Sequence, residues 1–450
     1  EKMRLPPAFT SQTLLLQTPA PTSLAFIFDE RREFIYLTVG IRNGKAFVKR
    51  DMHAHGWAYP GKPQTGIGPV YLQVLPGTKL ENALAEALPR WYRAIGALPP
   101  ENRSPWIYGA GIYELHPRFG VDQGLLRAGD LIPRAKALGF NTLHVMPVQD
   151  GPRHWYNPRH FFRIDRHAGT PDDLRTLVNK AHSHGMKAWV DLVPHGGELP
   201  EIMQRGTPAY WIPFSRKGEV FGRYPNDYKQ PEYQDYICRV TEFYMKEYGL
   251  DGFRVDQPWG SQPNWRKKNY PAKDKVPKGL TAEFYRKSLA VTGGEMQPLE
   301  YERASLALRE GGFEMCERIR NTVKKCNSSG AVLTETLSTM NPLSADLMHD
   351  QLYSPFGHKF RELDIAECVP ALSRYLEEKK LLFPPGTRFM RMFQNHDQWN
   401  PFEYFGTGLG RAAFASTVLM DVIPAKVAGV SEIVMTTPAG KDGKVNPVIL

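Results

Sequence analysis

Residues 249–265 read "GLDGFRVDQPWGSQPNW", and this stretch decides the fold. A short apolar run carries Arg254 within it and ends at Asp256, after which Pro258 stops a regular strand or helix from continuing. Side chains alternate along a strand, so Arg254 and Asp256 project to the same face. In a barrel of parallel strands, polar residues at the carboxyl ends of the strands meet at one mouth. The stretch therefore predicts a buried strand that brings two charged groups to a cleft.

The same pattern repeats from residue 106 onward, where strand-like apolar runs alternate with helical segments. No GxGxxG motif follows any of these runs, which argues against an open, doubly wound dinucleotide-binding sheet. We therefore predict an α/β fold, a (β/α)8 TIM barrel with a small N-terminal β-rich domain. The segment "SADLMH" (344–349) is interpreted as a short helix between the fifth and sixth strands. The eight candidate strands are 107–115, 141–148, 187–194, 251–256, 331–336, 350–355, 389–395 and 421–429.

The N-terminal part has a different pattern. Short alternating runs separated by turn residues such as Asn43-Gly44 predict an antiparallel β unit, and a helix-like stretch then ends at "PPENRSP" (99–105). We predict a β-rich domain over 1–104 that ends in a helix, and a barrel over 105–450. Two connections are too long for plain βα loops, 195–230 after the third strand and 257–298 after the fourth, and we expect them to form walls of the cleft.

Composition narrows the class of protein. The 450 residues are 42% hydrophobic and 23% charged, as in ordinary globular proteins, and no apolar run approaches the roughly 20 residues of a membrane-spanning helix. The net charge of +10 is spread along the chain, and its densest cluster, 266–278, contains Asp274 and prolines, so it is interpreted as an exposed loop and only as a less favoured alternative as a nucleic-acid-binding arm. We expect neither a nucleic acid nor a membrane as partner.

The four cysteines show no metal-binding or disulfide-framework spacing. Whether Cys316 and Cys326 pair stays open. The compartment and the oligomeric state stay open as well.

Polar residues at the predicted strand ends admit two interpretations. A divalent cation could be held by them, but such sites usually contain closely spaced histidines, and His182 and His184 fall at a predicted helix end opposite the mouth. The other interpretation is glycoside chemistry, in which one carboxylate attacks the anomeric carbon and another protonates the leaving oxygen. The residues concerned are Asp191, His195, Arg254, Asp256, Glu335, Asn395, His396 and Asp397.

Asp256 and Glu335 lie on adjacent predicted strands. Retaining glycosidases hold their two carboxyls roughly 5–5.5 Å apart, a distance that side chains from neighbouring barrel strands can meet. Arg254, on the same face, is expected to keep Asp256 ionised. A single Arg–Asp pair at a strand end would be interpreted as a structural ion pair. The ordered combination with Glu335 and the seventh-strand Asp397 favours glycoside chemistry.

These residues stand in motifs that resemble the α-amylase family, glycoside hydrolase family 13. The resemblance runs from about residue 106 to 433 and includes 156–194 almost position by position. "GFRVD" (252–256) resembles the nucleophile motif, "LTET" (333–336) the acid/base strand and "FQNHD" (393–397) the seventh-strand motif. "VIPAKVAGVSEI" (422–433) is similar to the eighth strand.

The resemblance implies roles for three acids. Asp256 would be the nucleophile, Glu335 the general acid/base, and Asp397 the third acid that binds sugar hydroxyls. Tyr156 would lie under the same sugar as an aromatic platform. The side chains assigned to substrate binding are Arg254, His396, Tyr156, Asp191, His195 and Trp259.

The chain also departs from the family pattern. The third-strand motif ends in His195-Gly196 instead of Asn-His, so the usual sugar-contacting histidine is missing and the usual calcium ligand is a histidine, a poor one for calcium. We therefore predict no metal and no cofactor. Pro258 and Trp259 stand where α-amylases carry Lys and His, which points away from ordinary endo-acting starch hydrolysis.

The function expected from the sequence is a retaining glycoside hydrolase acting on α-glucosidic bonds of α-glucans or malto-oligosaccharides, through a covalent glycosyl-Asp intermediate. Two alternatives stay open: a maltosyltransferase-like α-glucan transglycosylase, and a catalytically impaired carbohydrate-binding relative. In each case the partner would be an oligo- or polysaccharide.

Overall fold

The structure is a computed structural model that describes residues 2–5, 12–17, 22–28, 35–52, 69–117, 124–151, 155–208, 211–213, 220, 224–258, 311–335, 341–351, 370, 373, 376–377, 380–392 and 396. The chain divides into two compact units. The first comprises residues 1–349 and 381–389, and the second comprises residues 350–380 and 390–450. The N-terminal strands and the paired core of the parallel sheet belong to the first unit.

The N-terminal region contains two three-stranded antiparallel sheets. One has β4 (Ile35–Arg42) between β1 (Lys2–Leu5) and β5 (Lys45–Met52), and the other has β3 (Thr22–Phe28) between β2 (Gln12–Gln17) and β6 (Val70–Pro76). Helix α1 (Leu80–Ala94) buries its apolar face against the second sheet. The N-terminal region is therefore β-rich and followed by a helix, as predicted, while its division from the barrel as a domain over 1–104 stays a prediction.

A seven-stranded sheet follows the N-terminal region along the chain. Its strands follow one another in space in chain order, as in a barrel where each βα unit adds a strand beside the last. The neighbours from the first of these strands to the sixth pair in parallel. The strands are β7 (Ile112–Leu115), β8 (Thr142–Val145), β11 (Lys187–Leu192), β12 (Gly252–Val255), β13 (Ala331–Thr334), β14 (Leu347–Gln351) and β15 (Phe389–Met392).

This is the sheet of a (β/α)8 barrel, and it confirms the predicted fold class. Seven of the eight predicted strands lie wholly or partly among the described residues. The first is shorter than predicted, because Pro105–Gly109 forms a 3-10 helix and the strand begins at Ile112. The eighth, predicted over 421–429, lies outside the described residues, as does most of the long connection predicted over 257–298.

The sixth strand differs from the prediction. It begins at Leu347 and not at residue 350, so the end of the segment interpreted as a short helix is strand. Asp346 fixes this register, because its carboxylate accepts the Val332 N–H at 2.9 Å and Arg320 at 2.9 Å. Six residues are too few for the helical period to be distinguished from a buried strand.

Helices connect and cover these strands. They are α2 (Gly124–Ala137), α3 (Pro171–Ser183), a short α4 (Leu199–Gln204), α5 (Pro231–Tyr248) and α6 (Gly312–Cys326), and a small hairpin of β9 (Gln149–Asp150) and β10 (His160–Ile164) lies between β8 and α3. Helix α3 starts in a capping box, in which Thr170 accepts the Asp173 N–H and Asp173 accepts the Thr170 N–H. Among the described residues, no helix is long and apolar enough to span a membrane.

Helix α5 ends where the decisive stretch begins. Gly249 caps it with φ +66°, a left-handed conformation that favours glycine. Three residues later Gly252 opens β12, and a Cβ there would lie 1.9 Å from the Ala331 carbonyl oxygen. Only glycine allows β12 and β13 to approach this closely, and that approach sets Arg254 and Asp256 beside the end of β13.

Candidate active site

Arg254 is the centre of a charged cluster at the ends of β11, β12 and β13. Its side chain is fully buried, and its Nη1 donates to Asp256 Oδ1 at 2.5 Å and to Asp191 Oδ1 at 3.3 Å. Its Nη2 lies 3.0 Å from Glu335 Oε1. One guanidinium therefore contacts carboxyls from three consecutive strand ends, and Arg254 and Asp256 share a face of β12 as predicted.

Asp256 and Glu335 interact directly. The two carboxyls share a hydrogen bond, and the Gln257 backbone N–H donates to Glu335 Oε2 at 3.0 Å. Gln257 adopts φ 39°, which is uncommon for a residue with a side chain. Backbone strain of this kind often occurs at functional sites. The turn after β12 thus positions the carboxyl that ends β13.

Burial raises the pKa values of both carboxyls, and the value of Glu335 is the higher of the two. It raises the pKa of Asp256 to about 6, and Arg254 offsets only part of this effect. It raises the pKa of Glu335 to about 8, with the Asp256 charge adding to the rise. Arg254 favours the ionised form of Asp256, as expected, but removal from water has the larger effect on the pKa of this carboxyl. Near pH 7 Asp256 is mainly ionised and Glu335 mainly protonated.

His195 contacts the same carboxylate from the loop after β11. Its Nε2 lies 2.8 Å from Asp256 Oδ2, and the side chain is 4% exposed. The ring stacks on Tyr224 with 3.9 Å between centroids, and its backbone carbonyl accepts from Asn226 Nδ2. This donor set does not fit the calcium site that the family resemblance would place here, because the side chain and the carbonyl of His195 are both engaged.

Tyr156 lies at the edge of the cluster. Its hydroxyl donates to Asp191 Oδ2 at 2.6 Å, and its ring lies 5.7 Å from the Arg254 guanidinium. The ring also packs against Met146 and Val193 and is 9% exposed. Tyr156 and Asp191 therefore belong to the cluster, whereas the platform role of Tyr156 stays a prediction.

Three further polar residues in this part of the barrel were missed in the sequence. His144 lies between Asp191, at 3.2 Å, and Glu114, at 3.4 Å. Although burial lowers its pKa, the two carboxylates raise it to about 9, so the ring is cationic at neutral pH. His349 on β14 is also buried, which holds its pKa well below the usual value. A polar residue inside each short apolar strand, "IYEL", "TLHV" and "LMHDQ", was the available signal.

The remaining predicted residues fall elsewhere. Asp397 and Trp259 lie outside the described residues, and His396 is described as a half-buried turn residue of the second unit. His182 binds Asp251 at 2.7 Å. Within the described ranges, no group of three or more His, Cys, Asp or Glu side chains could hold a metal ion. The absence of metal and cofactor stays a prediction.

Two interacting carboxyls and a buried arginine lie at neighbouring strand ends of this parallel barrel sheet. Such an arrangement is typical of enzymes that use one carboxyl as a nucleophile and another as a general acid. Comparison with known proteins gives the family. The model of the "Alpha amylase, catalytic domain" family matches residues 129–205. Over this range the chain is similar to the α-amylase family, glycoside hydrolase family 13, as the sequence motifs predicted.

Two curated relatives illustrate the similarity. Malto-oligosyltrehalose trehalohydrolase of Deinococcus radiodurans is 27% identical over 49% of this chain and 38% of its own length. The 1,4-α-glucan-branching enzyme of Aspergillus oryzae is 31% identical over 35% of this chain and 24% of its own length. The chain thus spans less than half the length of these relatives. Among solved structures, cyclic α-maltosyl-(1→6)-maltose hydrolase from Arthrobacter globiformis has a TM-score of 0.49 and 16% identity, with 70% of this chain and 72% of that chain covered.

A second family model matches the end of the chain. Residues 393–450 match the model of histidinol dehydrogenase. This range contains Asp397, His396 and the segment predicted as the eighth strand, nearly all of it outside the described residues. The roles of these residues and the eighth strand stay predictions that rest on the motif resemblance.

Proposed function

We propose that the protein is a retaining enzyme that cleaves α-glucosidic bonds of α-glucans or malto-oligosaccharides by double displacement. The observation that carries the proposal is the pair Asp256 and Glu335, which are in contact on adjacent strands and hold opposite protonation states near pH 7. A nucleophile must be ionised and a general acid protonated in the same free enzyme. Environment alone separates the two carboxyls in this way.

In the first step, Asp256 attacks the anomeric carbon and forms a glycosyl ester while the bond to the leaving oxygen breaks. Glu335 transfers its proton to that oxygen, so the leaving group departs as a neutral alcohol. In the second step, ionised Glu335 takes a proton from water or an acceptor hydroxyl, which attacks the same carbon and frees Asp256. Arg254 stays charged throughout and holds Asp256 in place.

Tyr156 and Asp191 border the place where the reacting sugar would lie, and Trp259 is proposed to contact the next sugar. Asp397 and His396 are proposed, from the resemblance alone, to bind hydroxyls of the reacting sugar. The partner of the protein is accordingly proposed to be an oligo- or polysaccharide.

Transglycosylation is the second candidate. It is supported by the similarity to a protein named 1,4-α-glucan-branching enzyme, since in this mechanism a branch would form if a sugar hydroxyl attacked the glycosyl ester. Hydrolysis and transfer share every step up to the glycosyl ester. They differ only in which hydroxyl reaches it.

Turnover of α-glucosyl fluoride by the wild type, Asp256→Asn and Glu335→Gln tests the proposal. We expect release of fluoride by the wild type and a loss of about 10³-fold or more in Asp256→Asn. Asp130→Asn, an exposed carboxyl on α2, is the matched control and should keep the wild-type rate. A wild type no faster than Asp256→Asn would instead support a carbohydrate-binding relative. Adding maltose as acceptor and separating the products distinguishes transfer from hydrolysis.

A further inference from the structure

His195 stands where the family pattern has Asn, and its side chain contacts Asp256. Asp256 uses both carboxylate oxygens within the protein: Oδ1 accepts from Arg254 Nη1 at 2.5 Å, and Oδ2 lies 2.8 Å from His195 Nε2. All of these groups are buried. A hydrogen bond to a carboxylate in such surroundings is stronger than one between neutral groups.

The hydrogen bonds of the ring define its tautomer. The Gly197 backbone N–H donates to His195 Nδ1 at 3.4 Å, and a ring nitrogen that accepts carries no hydrogen. The hydrogen of the neutral ring is then on Nε2, the nitrogen that faces Asp256 Oδ2. His195 therefore donates to the carboxylate, in the same sense as Arg254.

The loop that carries His195 is shaped to hold the ring in this position. The two residues after it, Gly196 and Gly197, adopt φ +72° and +85°, and a Cβ on Gly196 would lie 2.9 Å from Asn226 Nδ2. The position where the family has its sugar-contacting histidine is thus restricted to glycine in this loop. Stacking on Tyr224 fixes the plane of the His195 ring.

Asp256 needs more than one donor because its surroundings are mixed in charge. Arg254 faces it from its own strand and favours ionisation, whereas Asp191 on β11 repels its charge. Glu335 on β13 donates the shared hydrogen bond when protonated, and Tyr156 lies beyond Asp191. When Glu335 gives its proton to the leaving group, this third donor is lost. His195 and Arg254 remain as the donors that hold the nucleophile.

We propose that His195 is a positioning residue for Asp256: its Nε2–H orients Oδ2 and favours the ionised carboxylate, instead of contacting the sugar as the sequence pattern suggested. The proposal rests on the proposed function, in which Asp256 is the nucleophile. A positioning role and a substrate-contacting role for His195 predict different effects when its donor is removed. Loss of the donor should change how Asp256 titrates and reacts, and should leave substrate affinity nearly unchanged.

Two isosteric amides test this. The amide nitrogen of His195→Gln can reach the place of Nε2, whereas that of His195→Asn reaches only the place of Nδ1. With α-glucosyl fluoride, we expect His195→Asn to lose about 10-fold or more in kcat at pH 7 with KM little changed, and its acid limb in kcat/KM to move up by about 1 pH unit. His195→Gln should restore both toward the wild type.

Each result bears on the proposal. An unshifted acid limb in His195→Asn, or equal behaviour of the two variants, would overturn it, as would a loss confined to KM, which marks a sugar contact. Wild type and Asp256→Asn are measured in the same series, so failure of the proposed function appears separately, as equal rates for those two. Thermal unfolding of each variant shows whether it folds.

If neither amide variant folds, the wild-type protein with ¹⁵N-labelled histidine supplies the test. The ¹⁵N NMR spectrum should contain the signals of one neutral, Nε2-protonated ring, that of His195, and these signals should move in Asp256→Asn. Unchanged shifts for every histidine would overturn the proposal.

Discussion

Asp256 and Glu335 are chemically similar acids whose order of protonation is set by position. Both are removed from water, which raises both pKa values, and both contact Arg254, but Asp256 also contacts His195 while Glu335 lies beside the charge of Asp256. The residue types and their order could be predicted from "GFRVD" and "LTET". The balance between burial and the neighbouring cation could not, because it depends on how completely the strand ends are covered.

The pH dependence of the proposed activity follows from the two pKa values. Below about pH 6 Asp256 gains a proton and ceases to be a nucleophile, and above about pH 8 Glu335 loses the proton it must donate. We expect a bell-shaped kcat/KM profile between these limits. With maltotriose as substrate, measured across pH 4 to 10, the wild type should show both limbs, and Glu335→Gln should lose the basic limb and keep the acid limb. A basic limb that survives in Glu335→Gln would assign it to another group.

The leaving group should decide how severe Glu335→Gln is. Fluoride departs with little help from an acid, whereas the oxygen of maltotriose needs the proton. We expect a loss of about 10²–10⁴-fold in kcat/KM on maltotriose and a much smaller loss on α-glucosyl fluoride. Equal losses on both substrates would contradict the role of Glu335 as general acid.

The same residue should lower the stability of the fold at high pH. Burial raises the folded-state pKa of Glu335 from 4.5 to about 8, so the folded state holds a proton that the unfolded state releases from about pH 4.5 upward. The stabilising effect of that proton is complete below about pH 4.5 and is lost as pH rises through about 8. Thermal unfolding should therefore place Glu335→Gln above the wild type at pH 9, with a smaller difference at pH 5. A constant difference at both pH values would contradict this.

At the scale of elements, the close approach of β12 and β13 is what brings the two acids together. Gly252→Ala would place a methyl carbon 1.9 Å from the Ala331 carbonyl oxygen, so we expect it to destabilise the protein by about 3 kcal/mol or more or to prevent folding. Gly249→Ala is the matched control, since it has a left-handed φ but nothing within 4 Å, and should cost about 1 kcal/mol. Denaturant unfolding measures the stability of both variants. Equal losses would show that the close approach of β12 to β13 does not require glycine at residue 252.

Some features of the strands and loops could be predicted from the sequence, and others could not because they depend on contacts distant in sequence. The strands β11 and β12 stand out because continuous apolar runs end in charged residues. Strand β14 was misplaced because its start depends on Asp346 bridging to Val332 and Arg320, contacts distant in sequence. The loop at His195 was recognised as a departure from the family, but its contact with Asp256 depends on the backbone turns at Gly196 and Gly197.

At the scale of the whole molecule, the two family models match separate parts of the chain. The α-amylase model matches residues 129–205, and the model of histidinol dehydrogenase matches residues 393–450. The motif "FQNHD" (393–397) lies at the start of the second range. If Asp397 is the third acid, Asp397→Asn should lower kcat on α-glucosyl fluoride by about 10²-fold or more. A wild-type rate in Asp397→Asn would remove residue 397 from the site and leave the third acid to be found elsewhere.

The central claim is that Asp256 forms a covalent bond to the sugar, and trapping that ester tests it most directly. Glu335→Gln is mixed with α-glucosyl fluoride, which needs little acid to form the ester, while loss of the base slows its breakdown. The digested protein is then analysed by mass spectrometry. We predict one added glucosyl unit on the peptide containing Asp256, absent when Asp256→Asn is introduced as well. An unlabelled protein, or a label on another peptide, would contradict the account.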